Sequence, residues 1–429
     1  MSARRAVSHV PPVERAALVG LVTRTTPHAE PDHLLDEFAG LARAAGAEVV
    51  LRAVQERRAP DPATFIGSGK AAALAASCEA AGVELVLVDN ELTPAQARNL
   101  ENVLGRRVLD RTALILDIFA RRARTREGQL QVELAQLEYR LPRLAGSSEA
   151  LSRLGGGIGT RGPGETKLET DRRRIRHRIA ALKREIGDVQ RRRAYLRARR
   201  RRADVPTVAL VGYTNAGKTT LFTRLTGQDA AASDALFVTL DPLIRRMKLP
   251  DGRQVLLSDT VGFIDRLPHQ LVAAFHATLE EVVGADLLLH VIDAAAPDRE
   301  RRQEAVRSVL LDIDAHRVPV LEVFNKIDRL DAADVAGLQA ARPDAVMMSA
   351  ATGAGQAALV DAVAGRLAMD VERVHLELDG RRDADRRLLG DLYRHARVVS
   401  HEVVGDRVSV EADVPRRLAG RIPRAGAAR

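Results

Sequence analysis

Residues 205–227 read VPTVALVGYTNAGKTTLFTRLTG: an apolar run that suits a buried strand, a glycine-rich turn, and a stretch that suits a helix. Within it, GYTNAGKT from Gly212 to Thr219 fits the spacing G-x-x-x-x-G-K-[ST]. Glycines let the backbone wrap phosphate groups, the N-terminus of the following helix favours their negative charge, and a lysine at that position reaches the outer phosphates. The motif carries this chemistry only between a strand and a helix, and both neighbours are present. Gly212, Tyr213, Thr214, Asn215, Ala216, Gly217, Lys218, Thr219 and Thr220 are therefore the expected nucleotide cradle, with the Thr219 hydroxyl directed to magnesium.

Further stretches follow in an order that resembles GTP hydrolases. Asp259 and Gly262 of DTVG come after the apolar run QVLLS, a strand end suited to the magnesium shell and the outermost phosphate. Thr239 in LFVTLDP lies between those two motifs, where a loop can close a threonine over the metal, although Thr226 falls in the same interval. In VFNKID, Asp328 can accept hydrogen bonds from N1 and N2 of guanine, which adenine does not offer. Asn325 would brace this loop and contact the base edge, and Lys326 would lie over the base. SAATGAG, with Ser349 and Ala350, is the expected place of a backbone N–H near the guanine oxygen. Lys218, Thr239 and Gly262 form the expected catalytic set and Thr219, Thr239 and Asp259 the expected metal set, with GTP as substrate and Mg2+ as cofactor. Phe263 follows Gly262 where many GTP hydrolases hold a water-orienting glutamine, so slow intrinsic turnover is expected.

At 429 residues the chain exceeds what one core usually organises, and its patterns divide it into an α/β multidomain protein. Residues 1–123 alternate strand-like runs (ALVGLV, EVVLRAV, ELVLVD) with helical stretches, which predicts a parallel α/β domain. In 124–204 the period changes. Leu130, Leu134, Leu137, Leu141 and Leu144 make one seam; Ile175, Ile179, Leu182, Ile186 and Val189 make another, with Leu196 a heptad beyond. The two seams predict an antiparallel helical (coiled-coil) hairpin around the connector LGGGIGTRGPGETKLETDRR, which its glycines and Pro163 keep from forming continuous helix. Residues 205–368 are the expected P-loop GTPase domain and 369–429 a small α+β domain with a frayed tail from about Leu418.

Charge is concentrated in the second seam. Between Asp171 and Arg202, fifteen Lys or Arg stand against three acids, so this segment's net +12 exceeds the +9 of the whole chain. Such a face is expected to meet a phosphate-rich surface with an affinity that falls steeply with salt. Aromatics are 3% of the chain and Tyr195 alone falls in the arginine-rich arm, which argues for backbone and shape contacts rather than base stacking. Cys78 is the one cysteine, which excludes an intramolecular disulfide and fits a reducing cytosol. The apolar runs are too short for a transmembrane helix, so a cytoplasmic monomer without membrane contact is expected.

DRTALILDIFARRARTREGQLQVELAQLEYRLPRL, GGGIGTRGPGETKLETDRR and GYTNAGKTTLF together resemble the HflX family of ribosome-associated GTPases, over roughly residues 15–365. The run 156–173 resembles that family's glycine-rich connector, which other GTPases lack. The resemblance implies binding to the large ribosomal subunit and its rRNA, splitting of stalled or inactive ribosomes, and GTP control of engagement. It also implies a hydrophobic residue in place of the catalytic glutamine, where Phe263 stands, and stimulation of hydrolysis by a bound partner. The competing expectation is a regulatory G protein whose basic hairpin binds another protein. IGSGK, at 66–70, could bind a phosphate at the start of the following helix, and the resemblance implies ATP use through this region, but a short glycine turn into a helix is the commoner reading of such a stretch and it stays outside the expected site.

Overall fold

The computed structural model describes residues 13–23, 35–146, 163–202, 205–227, 236–237, 239, 242–265, 276–368 and 371–415. It divides into two compact units, Met1–Glu185 and Ile186–Arg429, with the boundary inside one long helix.

In the first unit, β1 (Glu14–Val22), β2 (Ala47–Glu56), β3 (Leu85–Val88) and β4 (Arg107–Asp110) form a parallel sheet in the order β2-β1-β3-β4. The central strands β1 and β3 are almost wholly buried, as their unbroken apolar runs require in a parallel sheet. Helices α1 (Asp36–Ala44), α2 (Ser68–Ala80), α3 (Pro94–Leu104) and α4 (Arg111–Arg122) join or follow the strands. α3 shows how directly the residues set an element. The Thr93 hydroxyl accepts from the Gln96 amide, the Gln96 side chain accepts from the Thr93 amide, Pro94 opens the helix and Gly105 closes it at φ 62°.

Arg111, the first residue of α4, is buried between two carboxylates. It donates to Asp89, just beyond β3, and to Glu37 on α1, both at 2.5 Å. Burial opposes the charge, yet the two carboxylates hold the guanidinium above its ordinary pKa.

Helix α5 (Arg126–Arg140) packs on α4 and buries Leu130 and Leu134. It ends sooner than the leucine seam predicts. Pro142 has no N–H to continue the ladder, and Leu141 and Leu144 lie instead in a 3-10 turn, Leu141–Gly146. The second arm is α6 (Pro163–Arg202), a helix of 40 residues. Pro163, expected to keep the connector out of helix, is its first residue, the position where a fixed φ and a missing N–H are least harmful. The part of the connector at 154–162 lies outside the described residues, as does the tail from Leu418. In α6, Leu182 and Ile186 are buried and Ile175, Ile179 and Val189 half-buried. Ion pairs Arg126–Glu185 at 3.1 Å, Glu133–Arg178 at 2.6 Å and Glu138–Lys183 at 2.8 Å tie α5 to α6.

The second unit contains a six-stranded sheet in the order β10-β9-β8-β5-β7-β6. Its strands are β5 (Thr207–Val211), β6 (Leu243–Lys248), β7 (Gln254–Asp259), β8 (Leu287–Asp293), β9 (Val320–Asn325) and β10 (Val346–Met347). All pairings are parallel except β6 with β7. Helices α7 (Lys218–Thr226), α8 (His276–Val283), α9 (Arg299–Asp312), α10 (Ala332–Ala341) and α11 (Gln356–Ala368) accompany it. A separate antiparallel sheet, β11 (Val371–Asp379), β12 (Arg397–Val404) and β13 (Arg407–Pro415), is ordered β11-β13-β12 and packs Leu376 and Val410 with Leu392 of α12 (Asp383–His395). Among the described residues no helix is long and apolar enough to cross a membrane.

The Arg111 arrangement makes the first unit vulnerable at one position. Arg111→Met leaves Asp89 and Glu37 without their buried cation and is expected to destabilise this unit by about 3–5 kcal/mol, read as an earlier unfolding transition in denaturant melts of the full chain. A shift below about 1 kcal/mol would mean that water reaches the two carboxylates.

Candidate nucleotide-binding site

β5 delivers the chain into the loop at 212–217, and α7 begins at Lys218. Gly217 adopts φ 93°, and a Cβ there would collide with the Asn325 side-chain amide, so glycine is required on both counts. Lys218 is buried at 6% exposure, and its ammonium donates to the carbonyls of Gly212 at 3.0 Å and Tyr213 at 2.9 Å. Burial pushes its pKa down to about 8, against the pull of the nearby Asp259 carboxylate.

Asp259 ends β7, whose pairing with β5 brings it beside the loop. Its Oδ2 accepts from the hydroxyls of Thr219 at 2.9 Å and Thr239 at 2.8 Å, and the two hydroxyls are themselves 2.8 Å apart. Of the two candidate threonines, Thr239 is therefore the one at the site; the Thr226 hydroxyl donates to the Phe222 carbonyl of its own helix. Asp259 Oδ1 is buried without a hydrogen-bond partner, and burial raises the carboxyl pKa. A buried carboxylate oxygen left over beside two hydroxyls is an oxygen donor set of the kind magnesium takes, with phosphate and water to complete it. The residues fit the metal.

After Asp259 the chain is fastened to the phosphate loop. The Phe263 amide donates to the Gly212 carbonyl at 3.1 Å, and the Thr214 amide donates to the Phe263 carbonyl at 2.7 Å. The Asp265 amide donates to the Tyr213 hydroxyl at 2.8 Å. Gly262 lies so close to Thr214 that a Cβ would sit 2.8 Å from its methyl group. The Phe263 side chain is 2% exposed and packs away from the pocket.

The far end is built by β9 and the loop after β10. Asn325 Nδ2 donates to the Ala216 carbonyl and its Oδ1 accepts from the Ala350 amide, both at 2.8 Å. Lys326, at φ 65°, donates to the Asn215 carbonyl and to Asp293, both at 2.7 Å. Asp328 is exposed and lines the pocket. The Ala350 amide is already engaged by Asn325, whereas Ala351, one residue on, also lines the pocket. Ser349 is fully buried and its hydroxyl accepts from the Thr352 amide, so it shapes the loop from within.

Together these parts enclose a pocket of about 300 Å³. Thr214, Asn215, Gly217, Lys218, Thr219 and Thr220 line one side, with Thr239, Gly262, Asn325, Lys326, Asp328 and Ala350 around the rest. Gly212, Tyr213, Ala216, Asp259 and Ser349 are also brought together there but stand behind the lining. Phe237, Thr260, Arg329 and Ala351 line the pocket without having been expected. Asp293, which orients Lys326, ends the apolar run LLLHVI just as Asp259 ends its own strand, a signal the sequence does carry.

A buried ammonium and an oxygen cluster at one end of a pocket, with an open carboxylate at the other, is the layout of a P-loop GTPase. Comparisons with known proteins give the same class. Residues 32–120 match the family described as GTP-binding GTPase N-terminal, 122–200 the GTP-binding GTPase middle region, and 207–326 the 50S ribosome-binding GTPase. The chain is 53% identical over 318 residues to the GTPase HflX of Caldanaerobacter subterraneus, covering 74% of this chain and 73% of that one. It is 51% identical to the Escherichia coli protein of that name, covering 80% and 81%, and 44% identical to that of Lacrimispora saccharolytica, covering 94% of each. The chain belongs to the HflX family of GTPases and is a GTP hydrolase.

The state of Lys218 sets a pH dependence. Its pKa in the free protein is depressed to about 8, so the ammonium is charged below that pH and lost above it, and phosphate binding above pH 8 must first restore the proton. Affinity for GDP should weaken by about fourfold between roughly pH 7 and pH 8.5, with proton uptake on binding, both measurable by calorimetry. A flat profile would show that Lys218 keeps its proton throughout.

Proposed function

We propose that this GTPase acts at the large ribosomal subunit, contacting its rRNA, and dissociates stalled or inactive ribosomes under the control of bound GTP or GDP. The observation that carries this reading is the two-sided character of α6. Arg173, Arg174, Arg176, Arg184, Arg191 and Arg192 are exposed on a helix whose apolar seam is covered. Arginines held on a rigid helix suit phosphate contacts, and the match of 207–326 to a ribosome-binding GTPase family supports rRNA as their source. In this division of labour, 1–123 and 124–204 approach the subunit, 205–368 binds and hydrolyses GTP, and 369–429 is a small accessory domain.

In the proposed site, Thr219, Thr239 and Asp259 hold magnesium, which supplies charge neutralisation on the phosphates. The Lys218 ammonium serves the outer phosphates, helped by the amides of 214–220, and the Gly262 amide stands at the outermost one. Asp328 reads N1 and N2 of guanine, and Asn325 holds the two ends of the site together. Phe263 offers no group to polarise water, so turnover is slow until a bound partner completes the arrangement. A second reading, a regulatory G protein with a protein partner, draws on the arginines already paired within the chain, such as Arg178 with Glu133.

The test is GTP turnover with increasing large subunits, small subunits serving as control. Stimulation by large subunits alone is expected, and the triple change Arg184→Gln, Arg191→Gln, Arg192→Gln should weaken association while leaving free GDP affinity unchanged. The slope of log affinity against log salt should fall by roughly 0.7–0.9 for each phosphate that is no longer neutralised. Equal stimulation by both subunits, or none, would turn the reading toward a protein partner.

A further inference from the structure

α7 carries, two turns beyond Lys218, a residue that the nucleotide motifs leave without a role. Arg224 reaches across to the loop after β10, where its Nε donates to the Ala350 carbonyl at 3.1 Å and its second guanidinium nitrogen donates to the Ala351 carbonyl. The same loop is held from inside by Asn325, which accepts the Ala350 amide at 2.8 Å. The Ala350 carbonyl and the Ala351 amide belong to one planar trans peptide, so they point in opposite directions. Drawing the carbonyl toward Arg224 therefore turns the Ala351 N–H the other way, and Ala351 lines the pocket.

We infer that Arg224 is a positioning residue for base recognition: it aims the Ala351 amide at the oxygen on C6 of guanine. The inference rests on the reading of this pocket as a guanine site, in which a backbone N–H of this loop is already expected near the guanine oxygen, and adds to it the side chain that orients that N–H. Asp328 reads N1 and N2, different atoms of the base from the C6 oxygen, so the two contacts are separable. The loop also has little freedom to compensate. Gly353 sits at φ 91° with a Cβ position 3.3 Å from Arg224 Nη1, and Gly355 at φ 76° would run into the Met347 carbonyl. An aimed N–H in a constrained turn discriminates better than a mobile one, because a wrong acceptor leaves it unsatisfied.

The experiment measures affinities of GDP, 6-thio-GDP and IDP for the full chain at neutral pH, for the parent, Arg224→Ala and Arg224→Lys. Sulfur is a weak acceptor, so the parent should prefer GDP over 6-thio-GDP by roughly three- to tenfold. It should also prefer GDP over IDP, which lacks the amino group that Asp328 reads. Arg224→Ala should bring the GDP to 6-thio-GDP ratio close to unity while keeping the GDP to IDP ratio. Arg224→Lys, with one donor group in place of a fork, should fall between. Retention of the full 6-thio ratio in Arg224→Ala, however much overall affinity drops, would overturn the role of Arg224 alone. Loss of the GDP to IDP preference in the parent would overturn the base-site reading, and this inference with it.

Discussion

One side chain joins the two halves of the nucleotide site. Asn325, at the end of β9, gives its amide to the phosphate loop at Ala216 and takes the Ala350 amide into its carbonyl oxygen. It is 2% exposed, so both contacts are made away from competing water, where a buried amide left unsatisfied would be costly. The approach is close enough that Gly217 must lack a side chain. The spacing between phosphate and base contacts is thus fixed by a hydrogen-bonded bridge whose supports are parallel strands. β5, β8 and β9 lie side by side, and the ends that carry Gly212, Asp293 and Asn325 come out at one edge of the sheet.

The phosphate end is built differently. The Lys218 ammonium donates to loop carbonyls, and the Gly212 carbonyl it uses also receives the Phe263 amide. The loop and the DTVG segment are consequently one hydrogen-bonded piece, reinforced by the Tyr213 hydroxyl on Asp265. The link between the phosphate loop and the segment after Gly262 thus runs through a shared backbone acceptor rather than through the side chain of Phe263, which is buried in packing.

How far the sequence discloses this depends on whether a residue acts alone or through its neighbours. The glycines, Lys218, Thr219 and Asp259 are legible because a phosphate, an ammonium and a metal impose fixed spacings along a strand, loop and helix. Thr239 is legible only as one of two candidates; the choice needs the fold to show Thr226 turned back on its own helix. Arg224 and Ala351 are not legible at all. Their role arises from a peptide plane pinned between segments 126 positions apart, and no local pattern encodes it. The N-terminal sheet is readable from alternation, whereas the end of α5 is not. Leucine spacing continues past Arg140 although Pro142 removes the backbone donor that a helix needs, and backbone chemistry overrides side-chain period. Pro163 makes the opposite point, since the same residue that ends a helix is well suited to begin one.

The long helix is subject to both kinds of constraint, backbone and charge. An isolated helix with so many like charges would repel itself, and the stretch from Ile175 to Val189 is held because its apolar seam is covered and because Glu133, Glu138 and Glu185 pair with some of its cations and with Arg126. The acids that do this cluster near the covered middle. Toward Arg191 and Arg192 the arginines are exposed, and Asp188 is the one acid paired there among the described residues. Charge that contributed only to folding would be neutralised along the helix, so the excess positive charge at that end is where the phosphate contacts proposed above would be made, at little entropic cost if the helix is already formed.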